Sequence, residues 1–433
     1  MKNELCKQKY KVALFGNFGG ANFGNDSTLQ AILHHLLEVL GNVEINCICT
    51  GPEVVHSDYG IFAVPSRAIA RKSRAFHNPL LRFAQKAIIR PISEVRRWLK
   101  GVQILWGIDA LVVPGTGLLT DAYTFLDWGP YDMFRWSVTA KLCRCKLLFV
   151  SVGAGPIYTR TGKFFIKTAL SLADFRSYRD VSTLQYLRRI GFPTAGDRVY
   201  PDLAFSLPVS VRSVRSNTAN VETLVVGIGL MEYAGKYSVE RPASAVYSAY
   251  LETLVTFVKW LVSHRYQVRL LIGDLADARV TREFRALLKQ HSVAQDDNRI
   301  IDEPVQSVQQ LLAQIEATDI VLATRFHNVL LSLLLNKPVI AVSFHHKCYS
   351  LMNQMGLMRY SQDINALDAD RLVEQFRQAQ QNIDLLKRII REKVAICRNA
   401  LDEQYGIVSR VVCSSDNRRR AAGEIRYSSS SHA

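Results

Sequence analysis

Long apolar runs are missing from this chain. Hydrophobic residues make up 48% of its 433 positions, yet the most apolar stretch, Val329 to Leu335 with Ser332 inside it, falls far short of the roughly 20 residues that a membrane-spanning helix needs. Met1 to Lys11 is too polar for a secretory signal. The expectation is a soluble or peripheral protein, cytoplasmic or on the inner face of the plasma membrane.

Cysteine patterning is missing as well. The 8 cysteines are scattered, and Cys47/Cys49 and Cys143/Cys145 have C-x-C spacing in or beside expected strands, not the C-x-x-C loop of a zinc site. Reduced, mostly buried thiols are expected, with no metal and no cofactor. Acid is scarce: 38 Asp and Glu face 54 Lys and Arg, for a net charge of +16. That balance favours an anionic partner, whether a phosphorylated small molecule, a nucleic acid or a membrane surface. No zinc, helix-turn-helix or aromatic-basic platform signature supports the nucleic acid, which is not expected.

What is present centres on Thr324 to Lys347, TRFHNVLLSLLLNKPVIAVSFHHK. An apolar strand, Ile320 to Ala323, precedes it, Phe326 to Leu335 has the length and apolar density of a buried helix, and Pro338 opens a β-branched strand to Ser343. Arg325 and His327 then fall at the carboxyl end of one strand, and His345, His346 and Lys347 at the end of the next. Open parallel sheets bind ligands at that edge, where helix N-termini also supply N–H donors to anions.

From the N-terminus, the strand Tyr10 to Phe15 runs into a glycine-rich loop, Gly16 to Ser27, and a helix expected from Thr28 to Leu40 with Asp26 or Ser27 as cap. Val43 to Cys49 is the second expected strand. Residues 66–101 carry ten Lys or Arg against one acid, Glu94, with apolar residues at helical spacing between them. Such a segment suits either an anionic membrane surface or a solvated helix packed on the first domain.

Ala110 to Pro114 ends in Gly115-Thr116-Gly117 and Leu147 to Val152 in Gly153-Ala154-Gly155-Pro156. Arg179-Asp180 follows at a further strand end. Residues 209–221 read as a polar linker, after which five strands alternate with helices as far as Ser343. Residues 414–433, rich in Ser and Arg, read as a disordered tail. The domains are therefore 1–208, holding the basic segment, and 222–413.

Several of these blocks resemble the polysaccharide pyruvyl transferase family. The most characteristic is Arg325-Phe326-His327, then Lys337 to Phe344 with Lys347, then Met355-Gly356-Leu357. Asn22-Phe23-Gly24-Asn25-Asp26 resembles the N-terminal loop, with Asn25 between glycine and acid. Gly115 to Asp121 resembles a glycine block with its trailing acid, Thr116 replacing the central glycine; Gly153 to Pro156, Arg179-Asp180 and Pro201 to Phe205 match further blocks. The resemblance runs from about residue 11 to 357.

It implies two Rossmann-like parallel-sheet α/β domains of the glycosyltransferase B type with a cleft between them. The implied reaction moves pyruvate from phosphoenolpyruvate to two hydroxyls of one sugar in an exopolysaccharide or cell-surface glycan, giving a cyclic ketal and phosphate. The first domain is the expected acceptor side and the second the donor side. Arg325, Arg179, Lys347 and His346 are the candidate donor-binding cations, and His327 is the candidate proton donor. Asp121 and Asp26 are candidate acceptor bases, and Gly16, Asn22, Gly24, Gly115, Gly117, Gly153 and Gly155 form the candidate ligand loops. Expected partners are phosphoenolpyruvate, a sugar acceptor of the free or lipid-linked kind, and an anionic membrane surface. A nucleotide-sugar glycosyltransferase of the same fold would want acids beside the Arg-Lys pair, and between Pro304 and Lys347 only Glu316 and Asp319 occur. An inactive binding relative is the other alternative.

Overall fold

A computed structural model describes residues 9–66, 79–121, 129–209, 223–233, 242–293 and 298–414, with the side chains of 79–91 not described. The expected linker, apart from Val209, and the expected tail, apart from Ser414, lie outside the described residues, as does the start of the basic segment.

The first half alternates as the sequence leads one to expect. In chain order it comprises β1 (Tyr10–Gly16), α1 (Phe23–Leu40), β2 (Val43–Cys49), α2 (Pro52–Tyr59), β3 (Phe62–Pro65), α3 (Pro79–Leu105), β4 (Ala110–Pro114) and α4 (Gly129–Leu142). β5 (Lys146–Val152), α5 (Arg160–Ser171), β6 (Phe175–Tyr178), α6 (Val181–Arg189) and β7 (Arg198–Val199) complete it. The seven strands form one sheet in the order β3-β2-β1-β4-β5-β6-β7, and every pairing is parallel. Central strands such as β4 (ALVVP) and β5 (KLLFVSV) are buried throughout. Helices on both faces of a parallel sheet demand such unbroken apolar runs.

The second half holds β8 (Val225–Leu230), α7 (Ala243–Ser263), β9 (Gln267–Ile272), α8 (Ala278–Gln290), β10 (Ile300–Ile301), α9 (Val308–Glu316), β11 (Ile320–Ala323) and α10 (Phe326–Leu334). β12 (Val339–Ser343), α11 (His346–Gln354), β13 (Ser361–Asp363), α12 (Ala369–Gln381) and α13 (Ile383–Cys413) follow. Its six strands are again all parallel, in the order β10-β9-β8-β11-β12-β13. β13 was not expected; it is three residues long, and its S-Q-D sequence carries no apolar signal.

The chain divides into two compact units. One comprises the described residues of Met1–Gly20, Thr28–Leu203 and Ala400–Ala433, the other Ala21–Ser27 and the described residues of Ala204–Asn399. Two placements differ from a simple halving of the sequence. The C-terminal part of α13 joins the first unit, where Gln404 donates to Ser177 Oγ (2.6 Å) and Ser151 Oγ (3.0 Å). Ala21–Ser27 joins the second, for reasons that lie in the site itself.

Candidate active site

In the second unit the strand-end loops of β9, β8 and β11 lie side by side, since β8 is flanked by the other two. Arg325 leaves β11 in extended backbone at the N-terminus of α10, and its side chain does not cap that helix. Instead Nε and Nη2 donate to the two carboxylate oxygens of Asp277, each at 2.6 Å. Asp277 is wholly buried and also accepts from Glu232 N (3.0 Å). Asp274 Oδ2 stands 3.8 Å from Arg325 Nη1. Burial pushes the Arg325 pKa down, but the hydrogen bond and charge of Asp277, with Asp274, more than offset it, so the guanidinium stays cationic.

Gly273, just after β9, makes this approach feasible. A Cβ there would stand 2.6 Å from Asn328 Oδ1 and 3.2 Å from Arg325 Cδ. Asn328, in the first turn of α10, is wholly buried, and neither its amide oxygen nor its nitrogen has a hydrogen-bond partner among the described residues. A buried polar group in that state is costly. It marks the floor of this loop cluster as polar beneath Arg325.

The first turn of α1 belongs to the same cluster. Asn22 Oδ1 accepts from Asn25 N (3.1 Å), which makes Asn22 the helix cap, and its Nδ2 donates to Asp274 Oδ2 (2.8 Å). Phe23 N donates to Gly273 O and Leu275 N to Ala21 O. Gly24 then lies against His327: a Cβ at residue 24 would be 1.9 Å from the imidazole Nδ1. Only glycine admits the ring there. The helix thus begins at Phe23, not Thr28, and neither Asp26 nor Ser27 is its cap; both sit inside the first turn, where the Ser27 hydroxyl donates to Phe23 O.

β12 runs beside β11, so the residues after Ser343 reach the same sheet edge. His345 caps α11 by accepting from Lys347 N (3.3 Å), and the His346 ring lies 4.0 Å from that of His345. His346 is exposed and Lys347 half-buried. Arg325, His327, Asn22 and Gly24 are therefore brought together, with His346 and Lys347 at the adjoining strand end.

The candidates in the first unit are arranged differently. Arg179, expected as a second anion clamp, is 7% exposed; it donates to Asp202 (3.2 Å) and lies 3.6 Å from Asp180. Those carboxylates flank its charge in this structure. Asp121, expected as a base, accepts from Tyr158 N (2.7 Å), Thr159 N (2.9 Å) and Thr159 Oγ1 (2.6 Å). Both its oxygens are committed to holding that loop. The ligand-loop glycines there serve internal packing: a Cβ on Gly16 would meet the Phe18 ring at 2.4 Å, on Gly115 the Ser151 carbonyl at 3.0 Å, on Gly153 Arg179 at 2.7 Å and on Gly155 Thr120 at 3.1 Å. Gly117 sits half-buried in the bend after β4.

Asp274, Asp277 and Asn328 were not among the expected site residues. Searching Pro304 to Lys347 for acids beside the Arg-Lys pair misses the two aspartates, because they come from the end of β9. The available signal was the acid-bearing turn Gly273-Asp274-Leu275-Ala276-Asp277 directly after an expected strand.

The model of the family described as polysaccharide pyruvyl transferase matches residues 22–346. No curated protein matches the sequence. Among solved structures, a glycosyltransferase from Rickettsia africae is similar at 12% identity and a TM-score of 0.55, over 93% of this chain and 99% of that one. A UDP-GlcNAc 2-epimerase from Neisseria meningitidis, bound to UDP-GlcNAc, is similar at 13% identity and a TM-score of 0.56, over 94% and 100%. At such identities the likeness speaks for the fold alone: two Rossmann-like domains of the glycosyltransferase B type.

Proposed function

The chain belongs to the polysaccharide pyruvyl transferase family, and from that membership and the strand edge of its second unit that holds Arg325 and His327 we propose that it transfers pyruvate from phosphoenolpyruvate to two hydroxyls of one sugar. The acceptor belongs to an exopolysaccharide or cell-surface glycan, free or lipid-linked. The observation that carries the reading is the pairing of Arg325 and His327 in one turn at the N-terminus of α10. Two of the five guanidinium N–H groups go to Asp277, Nη1 stands 3.8 Å from Asp274, and the 24% exposed remainder of the side chain is the part offered to a phosphate or carboxylate. Asp277 holds the guanidinium plane fixed, which is the preorganisation an anion site needs. Because Asp274 and Asp277 together outweigh the charge of Arg325, a highly anionic donor also requires Lys347 and the histidines after β12.

In this reading His327 delivers a proton to the methylene carbon of phosphoenolpyruvate as one sugar hydroxyl adds to the central carbon, and the hydroxyl proton returns to the imidazole. The C–O bond to phosphate then breaks. The second hydroxyl attacks the same carbon and its proton passes to the departed phosphate, leaving the ketal and inorganic phosphate. No metal enters the scheme, and chelator treatment is expected to leave turnover unchanged. The two aspartates beside Arg325 accept bonds from the protein itself, so they do not favour a nucleotide-sugar donor.

Incubation with phosphoenolpyruvate and a panel of sugars, with parallel incubations containing nucleotide sugars, tests the proposal. Phosphate release matched by a pyruvyl gain in product mass is expected. Phosphate without that gain, or glycosyl transfer in its place, overturns it.

A further inference from the structure

We propose that the outward face of α3 in the first unit docks on an anionic lipid bilayer. The helix packs on the protein through one face and leaves a second apolar stripe uncovered. Its inward face carries Trp98 and Leu105 beside a polar network: Arg97 bonds Glu94 (2.8 Å) and Asp132 (2.6 Å), Tyr131 bonds Glu94 (2.5 Å), and Arg135 donates to the Arg97 carbonyl (3.3 Å). Other apolar residues face outward. Ile92, Val95 and Leu99, spaced by three and four residues, are each at least half exposed, and Trp106 just past the helix end is 76% exposed. An ordinary surface helix buries such a stripe, and scattered exposure of single residues would need no comment.

Charge decides what covers it. Arg96 and Lys100 are exposed and lie one residue beyond Val95 and Leu99 on the same side of the helix, so cations line one flank of the apolar stripe. The single acid of residues 66–101, Glu94, is drawn inward to Arg97 and Tyr131. The preceding sequence adds Arg82, Lys86 and Arg90 with no acid. An apolar stripe with a basic flank and an aromatic residue at its end is what the interface of a bilayer rich in acidic headgroups accepts. A second copy of this chain fits worse, because a symmetric contact would set Arg96 and Lys100 against their own counterparts. The proposal rests on α3 alone and stands or falls apart from the pyruvyl reaction.

Sedimentation of the full chain with vesicles of phosphatidylcholine alone, or with phosphatidylglycerol added, tests it at low and high salt. Binding is expected only with the acidic lipid, and weaker at high salt. Two variants locate it: Val95→Glu with Leu99→Glu removes the apolar stripe, and Arg96→Glu with Lys100→Glu reverses the flank. Each should weaken binding about tenfold or more while thermal midpoints stay close to that of the wild type, since these side chains are exposed. Trp106→Phe should abolish any vesicle-induced blue shift in emission assigned to that residue. Equal sedimentation with both vesicle types overturns the proposal, and so does acidic-lipid binding that both paired variants retain. A concentration-dependent dimer that Val95→Glu/Leu99→Glu dissolves, in protein that ignores vesicles, overturns it in favour of self-association.

Discussion

Both sheets present an arginine at a strand end beside glycine loops, and the two arginines differ in exposure. Arg179 in the first unit is closed off, held by Asp202 and Asp180, with Gly153 leaving room for its guanidinium. Arg325 in the second is paired with Asp277 and stands 3.8 Å from Asp274, yet its side chain stays 24% exposed against 6% for Arg179. Two motif arginines can therefore be buried to different degrees although their sequence neighbourhoods look alike. Each cation meets two carboxylates, and what separates them is how much of the guanidinium is left exposed.

The largest expected effect tests that contrast at the level of turnover. Replacing His327 with Ala should lower kcat by about 10²- to 10⁴-fold if the imidazole moves a proton, whereas Asp121→Asn in the first unit should keep turnover within a few-fold. Steady-state kinetics with phosphoenolpyruvate decide it. A well-folded His327→Ala protein of normal turnover would remove His327 from the chemistry, and a collapse on Asp121→Asn would return that carboxylate to the acceptor side.

Next in size are the ion pairs. Arg325→Ala strands the buried Asp277 and Arg179→Ala strands the buried Asp202, so each should cost about 3–5 kcal/mol of stability. The contrast lies in what survives: folded Arg325→Ala protein should show a raised KM for phosphoenolpyruvate, folded Arg179→Ala protein a normal one. Calorimetry with kinetics on both variants checks this, and a raised donor KM for Arg179→Ala would break the distinction. A smaller effect sits under Arg325. Asn328→Leu removes an amide without partners among the described residues and should raise stability by about 1–3 kcal/mol. A lowered midpoint in denaturant would show that the amide is satisfied after all.

The alternation of strands and helices was legible because parallel strands covered on both faces must be apolar without a break, as β4, β5 and β11 are. The short edge strands β3 and β7 carry less of that signal. Arg325 and His327 were legible from their place between a strand and a helix. Their partners were not, because they depend on sheet order: Asp277 reaches Arg325 only since β9 and β11 flank β8. The start of α1 was misplaced for a related reason, as Asn22 is fixed by Asp274, 252 residues further along the chain. Likewise nothing local tells Gly24, which admits a catalytic candidate, from Gly16, which admits a phenylalanine ring.

The smallest effect concerns pH and the closed character of the first edge. Asp180 caps α6 by accepting from Thr183 N (2.6 Å), and its other oxygen lies 3.6 Å from Arg179 Nε. Burial alone would push this carboxyl up, but the Arg179 charge and the hydrogen bonds from Ser182 and Thr183 outweigh it, leaving its pKa below the ordinary value. A carboxyl depressed in the folded state contributes stability that is fully present above its unfolded pKa, about 3.9 for aspartate, and is lost as pH falls through the folded value. Asp180→Asn keeps an oxygen for the cap and abolishes the titration. The stability difference between wild type and variant should therefore be constant from neutral pH to about pH 5 and shrink below the ordinary aspartate range. Denaturant midpoints of both proteins measured from pH 7 down to the lowest pH at which each still folds give that difference directly. A gap that stays constant to the acid end would mean Arg179 does not hold Asp180 as a charged partner, and the first edge would then be less closed than its ion pairs indicate.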